Sequence, residues 1–257
     1  MSEAGHLRQE RRGDVLWLTI DRQERRNAIS AEVIGGISAG IAEAQHDAAI
    51  RAVVLTGAGE RAFCAGGDLQ SSDPFGIDFS QPFGPVAQLF RQARAATVPL
   101  VARVNGACMA GGMGLMAMCH IAVAHSSARF GLPEVSVGVF PVQVLAVLQR
   151  LLPRRALVEM SILGEPISAG KALELGLVNR VADDLEAELE RILDVLRSRS
   201  PAAVRRGLYC LSQMEAMPFE QAISFAEGQI PLFALTEDAR EGIAAFRDKR
   251  KPEWTGR

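Results

Sequence analysis

Two glycine-bearing segments, each directly behind a short apolar run, most constrain what this chain can fold into. The first is Ala62-Phe63-Cys64-Ala65-Gly66-Gly67-Asp68-Leu69, behind Ala52-Val53-Val54-Leu55-Thr56. The second is Asn105-Gly106-Ala107-Cys108-Met109-Ala110-Gly111-Gly112-Met113-Gly114-Leu115, behind Leu100-Val101-Ala102-Arg103-Val104. The apolar runs read as buried strands. Glycine behind a strand lets the backbone come close to a ligand. Two such turns side by side can aim two backbone N–H groups, at Gly67 and Gly111, at one oxygen. That arrangement stabilises negative charge developing on a carbonyl. Each turn taken singly reads better as a plain tight turn; the two together carry the functional reading. Gly111 also begins a helical pattern, which would add positive potential beside an enolate.

Glu134 is the candidate acid/base. It lies in Phe130-Gly131-Leu132-Pro133-Glu134-Val135, with Val135, Val137 and Val139 alternating after it. An apolar surrounding raises a carboxyl pKa, which suits proton transfer near neutrality. The alternative is a surface glutamate after a proline turn.

The remaining pattern is strand, helix, strand. Val15–Ile20 reads as a first strand. Ser30 reads as an N-cap before Ile34, Ile37, Ile41 and Ala44 at helical spacing. Val86–Ala96 and Gly111–Met118 read as helices, and Ile121–Ala124 as a strand. From Val142 onward the pattern is mostly helical, with helices opened at Ser200-Pro201, Pro218 and Thr236. This predicts an α/β core over 1–199 and a helical region over 200–257. The segment from Ser71 to Pro85 reads as a loop of the kind that binds or covers a ligand.

These segments resemble the signature of the crotonase family, the enoyl-CoA hydratases and isomerases. The matches are Arg26-Asn27-Ala28, the two glycine turns, Phe-Gly-Leu-Pro-Glu134, Gly164-Glu165-Pro166-Ile167-Ser168-Ala169, Gly176-Leu177-Val178-Asn179 and Phe246-Arg247-Asp248-Lys249-Arg250-Lys251-Pro252. They stand in order from about Val15 to the C-terminus. The resemblance implies a spiral of β-β-α units followed by helices that build a homotrimer or hexamer. It implies an acyl-CoA substrate, with coenzyme A entering as part of that substrate and no dissociable cofactor. Gly67 and Gly111 would hold the thioester oxygen and Glu134 would move the proton. Arg26 and Ala28 would lie on the nucleotide side. Ala65, Gly66, Asp68 and Leu69 would wall the coenzyme, and Gly114 and Pro133 would also contact the substrate. Lys249 would lie near the phosphates; the alternative for this basic end is a solvated tail.

The main departure is Gly114. The best-known hydratases carry a second glutamate there, whereas members with one glutamate include Δ3,Δ2-enoyl-CoA isomerases. Asp73 and Asp78, on the long loop, could supply a replacement acid, and solvated loop residues is the simpler reading of both. In Phe140-Pro141-Val142-Gln143-Val144, bulky residues stand where relatives have glycines. Val142 stands where some dehalogenases of the family have an aspartate nucleophile, which argues against that chemistry. His120 reads as a satisfied core or interface histidine. The implied activity is hydration of a 2-enoyl-CoA thioester, with isomerisation as the alternative. A protein of another class, binding acyl-CoA or RNA without catalysis, is the third reading.

Charge and cysteines narrow the classes further. The net charge of −2 provides no basic field for nucleic acid or an anionic membrane. Cys64, Cys108, Cys119 and Cys210 have neither zinc nor redox spacing and read as buried free thiols of a reducing compartment. No histidine clusters with cysteines or acids, so no metal site is expected. The serines lack a nucleophile elbow, which argues against a serine hydrolase. The N-terminal residues lack an apolar signal core, and the expected location is cytoplasmic.

Overall fold

The computed structural model describes residues 5–68, 78 and 80–257. Strands β1 (Leu7–Arg12) and β2 (Val15–Ile20) lead into helix α1 (Ala31–His46), then β3 (Ala52–Gly57) and β4 (Ala62–Cys64). Next come α2 (Pro85–Arg94), β5 (Leu100–Val104), β6 (Ala107–Met109), α3 (Gly111–Ala117), β7 (Ile121–His125) and β8 (Arg129–Gly131). The remainder is α4 (Val142–Leu148), α5 (Arg154–Leu163), β9 (Ile167–Ser168), α6 (Ala169–Glu174), β10 (Arg180–Ala182), α7 (Leu185–Arg197), α8 (Pro201–Met214), α9 (Phe219–Ala234) and α10 (Glu237–Arg247).

From β3 to β8 successive strands alternate between two sheets, which gives the spiral. One sheet has the order β1-β2-β3-β5-β7-β10 and the other β4-β6-β8-β9. Apart from the antiparallel β1 edge, the larger sheet is parallel. Its inner strands are buried on both faces, so they read as continuous apolar runs. Leu16, Leu18, Val53 and Leu55 pack with α1 on one face. Val15, Trp17, Val54 and Val101 pack with Leu189 and Leu193 of α7 on the other. Ser30 caps α1 by accepting the Val33 N–H at 3.3 Å.

The smaller sheet carries the glycine turns. Parallel pairing of β4 with β6, and of β6 with β8, sets the ends of three strands side by side. Each end leads into one of the candidate segments.

The C-terminal helices are fastened to the core by arginines. Arg205 donates to the carbonyls of Ala44, Gln45, Asp47 and Ile50, which close the α1 end. Buried Asp238 accepts from the Ser200 hydroxyl and from the N–H groups of Ala202, Thr255 and Gly256. The outer faces of α9 and α10 are apolar and bare: Phe219, Ile230, Leu235, Ile243 and Phe246 are all exposed, Phe246 by 88%. Of the cysteines, Cys64, Cys108 and Cys210 are buried as expected, while Cys119 is only partly so. Burial pushes the Cys64 thiol up to about 12, so it stays protonated.

Candidate active site

Two buried asparagines fix the first turn. The Asn27 amide donates to Ala58 O at 3.0 Å and Ala62 O at 2.7 Å, and its Oδ1 accepts the Arg22 N–H at 3.1 Å. The Asn105 amide donates to Gly59 O at 2.6 Å and Ala62 O at 3.2 Å. Both therefore grip the carbonyl that opens β4. Beyond β4, the chain bonds in sequence to the 26–29 segment. Ala65 N–H donates to Arg26 O, Ile29 N–H to Gly66 O, and Asp68 N–H to Ile29 O. This alternation turns the Gly67 N–H to the opposite side.

Gly111 is aimed by a strained neighbour. Ala110 has φ 50° and ψ −126°, a conformation that L-residues rarely adopt. It is held by its N–H bond to Gly131 O at 2.9 Å. The two turns touch. A Cβ on Gly66, whose φ is +100°, would lie 2.6 Å from Ala110 Cβ and 3.4 Å from Gly111 N. A Cβ on Gly111 would lie 3.7 Å from Gly67 N. Among the described residues, neither the Gly67 nor the Gly111 N–H has a hydrogen-bond acceptor. Two adjacent free donors of this kind can hold a developing oxyanion.

Glu134 follows the third strand end, which lies beside the second glycine turn. Met109 pairs with Gly131, so the chain leaving β8 passes beside the 109–111 turn. Pro133 then starts a short 3₁₀ turn, Pro133–Val137. This corrects the strand-like alternation expected after Glu134: Val137 is 59% exposed, and the turn is imposed by the fixed φ of Pro133. The apolar setting of Glu134 survives the correction. Its Oε2 is buried with no hydrogen-bond partner among the described residues. Burial raises its pKa above the ordinary 4.5, against a smaller lowering by its own backbone N–H. A half-buried carboxyl with one unsatisfied oxygen is suited to accept and return a proton.

Gly114 is filled from across the fold. It lies one turn beyond Gly111 in α3 and is buried. A Cβ there would be 2.6 Å from Cζ of Phe90 and 3.4 Å from both of its Cε atoms. The Phe90 ring thus points end-on at the Gly114 backbone, in the space a side chain at 114 would need.

Residues 10–257 match the family model described as enoyl-CoA hydratase/isomerase. The chain belongs to the enoyl-CoA hydratase/isomerase, or crotonase, family. It is 31% identical over 248 residues to a short-chain-enoyl-CoA hydratase of Clostridium acetobutylicum, covering 95% of each chain. It is 34% identical over 256 residues to an enoyl-CoA hydratase of Mycobacterium tuberculosis, covering 96% of each. The crystal structure of an enoyl-CoA hydratase from Mycobacterium smegmatis superposes with a TM-score of 0.92 at 32% identity, over 98% of this chain and 99% of that one.

The other residues expected in a crotonase site fall into two groups. Arg26, Ala28, Ala65, Gly66 and Asp68 adjoin one another around the first turn, joined by the backbone bonds above. Arg26 is exposed with φ 51°, and Ala28 is buried. The Asp68 carboxylate is turned inward, onto the Arg22 guanidinium at 2.7 Å. Pro133 places Glu134. Leu69 and Asp73 lie outside the described residues. Asp78 is exposed, and its carboxylate accepts from the Ser80 N–H and hydroxyl.

At the basic end, Arg250 is engaged by Glu241 through two bonds, at 2.6 Å and 2.9 Å. Lys249 and Lys251 are exposed, and among the described residues neither forms an ion pair. Among the described residues no hydrogen bond or ion pair links Lys249 to the glycine turns. His120 is exposed rather than a core residue, with its Nδ1 accepting the Leu100 N–H at 2.9 Å, so its ring is held neutral on that side. Among the described residues no three His, Cys, Asp or Glu side chains form a metal cluster, and no helix is long and apolar enough to cross a membrane.

Sequence reasoning missed three residues that shape the site: Arg22, Asn105 and Phe90. Arg22 is 7% exposed, and an arginine that close to a buried turn would have been a signal only with its partner in view. Asn105, just behind a strand, carried a weak turn signal. Phe90 carried none beyond its place on the apolar side of α2.

Proposed function

We propose that this crotonase-family enzyme hydrates a 2-enoyl-CoA thioester. The observation that carries the reading is the buried, unpartnered Glu134 carboxylate oxygen at the strand end adjoining two free N–H donors. The Gly67 and Gly111 N–H groups donate to the thioester oxygen. Water attacks C3 and gives its proton to Glu134. Electrons move through C2 to the oxygen, and Glu134 then returns the proton to C2 of the enolate as the carbonyl reforms, which leaves its carboxylate ready for the next turnover. The N–H groups stabilise the enolate oxygen more than the neutral carbonyl, which is what lowers the barrier. The relatives named as hydratases over nearly the full chain support this assignment.

On this reading coenzyme A is bound along Arg26, Ala28, Ala65, Gly66, Asp68 and Leu69, with Lys249 toward its phosphates, and no further cofactor is needed. The exposed apolar faces of α9 and α10 support a homotrimer or hexamer built by the 200–257 region. The location is cytoplasmic on the same reading.

Isomerisation is the second reading, favoured by Gly114 and Phe90, which leave no carboxylate at position 114 to assist Glu134. A panel of 2-enoyl- and 3-enoyl-CoA thioesters, followed by mass spectrometry, separates the two. Hydration yields 3-hydroxyacyl-CoA from the 2-enoyl series. Conversion of 3-enoyl to 2-enoyl thioesters without hydration would replace the first reading by the second.

A further inference from the structure

We propose that Phe90 sets the length of acyl chain this enzyme accepts, by closing the reaction site off from a groove behind it. The inference rests on the acyl-CoA reading above and adds the residue that selects the substrate within it.

Three observations place the ring. Gly111 and Gly114 are three residues apart on α3, so they lie one above the other on one helix face. A thioester held at Gly111 therefore has the Gly114 surface one turn further on. At that surface stands the tip of the Phe90 ring, 2.6 Å from where a Cβ on Gly114 would be. The same Phe90 also lines a groove of ≈ 850 Å³ bounded by α2, α4 and α8, whose wall includes Met118, Val147, Leu208 and Leu211. The ring is 9% exposed and so fills the boundary it stands in.

An acyl chain is apolar and gains free energy with each methylene it buries. The groove is large enough for several methylenes; its apolar wall residues, Met118, Val147, Leu208 and Leu211, would accept them, while Arg94 and Arg150 in the same wall are engaged by Glu215. With Phe90 in place the chain must stop or turn at the ring. With the ring removed, the space beside Gly114 joins the groove. The intact enzyme is therefore a short-chain enzyme, and the restriction sits in one side chain. Gly114 is part of the device, because any larger residue there would drive the ring toward the groove.

The test compares kcat/KM for crotonyl-CoA and 2-decenoyl-CoA in the full-length wild type, Phe90→Ala and Phe90→Leu. Binding of butyryl-CoA and decanoyl-CoA is measured by calorimetry alongside. The wild type should favour the short thioester. The long-to-short ratio should rise about tenfold or more in Phe90→Ala, the scale of a changed hydrophobic pocket, with Phe90→Leu between. If Phe90→Ala fails to fold, the Leu variant decides. A wild type that already favours the long chain, or ratios unchanged in a folded variant, would overturn the proposal. Failure of the hydratase reading is distinguishable: the wild type would hydrate neither enoyl thioester, while the calorimetric ratio would still report on Phe90.

Discussion

Gly114→Ala adds one methyl group, and the structure predicts that its effect changes sign with the residue at 90. In a helix interior Ala is favoured over Gly by about 1 kcal/mol. Against this, the new Cβ would lie 2.6 Å from Phe90 Cζ, closer than carbon atoms approach. Forcing a buried ring aside costs about 1–3 kcal/mol. The single variant should therefore be destabilised by roughly 0–2 kcal/mol, the difference of these two figures. In a Phe90→Ala background the ring is gone, and the same methyl should stabilise by up to about 1 kcal/mol. The coupling between the two sites is then about 1–3 kcal/mol, within the range seen for residues in contact. Urea unfolding of the wild type, both singles and the double, at one protein concentration, closes the cycle. Additive effects would refute the claim that Phe90 occupies the space at 114.

Three further outcomes follow from the site. Burial raises the folded-state pKa of Glu134 above the ordinary 4.5, so the folded protein holds a proton that the unfolded chain has released. Wild-type stability should thus fall as pH rises from about 4.5 through the folded-state pKa, and Glu134→Gln should lack this step in a pH series of unfolding midpoints. Arg22→Met removes the buried guanidinium that meets the Asp68 carboxylate at 2.7 Å and should cost about 1.5–3 kcal/mol by urea unfolding, the scale of a hydrogen bond to a charged group; a loss below 1 kcal/mol, about the worth of an exposed pair, would mean the pair is solvated. Replacing Lys249 and Lys251 by alanine should weaken acyl-CoA binding and flatten its salt dependence, with little change in rate at saturation; an identical salt series would return this end to a solvated tail.

Much of this was legible because local pattern and tertiary role coincide. The inner strands are continuous apolar runs because both faces of their sheet are covered, and Ser30, Ser200-Pro201 and Thr236 sit where helices begin. Strand β1 was not legible: it is an edge strand of Arg, Gln and Glu, with no apolar alternation to betray it. The short β9 and β10 exist only through their pairing with β8 and β7. At the site, the glycine turns and Glu134 stand out as residue types, whereas their supports depend on distant partners. Arg22 meets Asp68 across 46 residues. Phe90 meets Gly114 from another helix altogether, so the missing side chain could be seen in the sequence but not what fills its place.

The central claim is that Glu134, working with the Gly67 and Gly111 N–H donors, adds water to an enoyl thioester. The most direct measurement is turnover of crotonyl-CoA by the wild type and Glu134→Gln in water enriched in heavy oxygen, read by mass spectrometry. The wild type should yield 3-hydroxybutyryl-CoA carrying the label. The variant should bind the thioester with similar affinity and turn over roughly two to four orders of magnitude more slowly, the scale of a lost general acid/base. A wild type that incorporates no label, or a variant that retains most of the rate, would contradict the account.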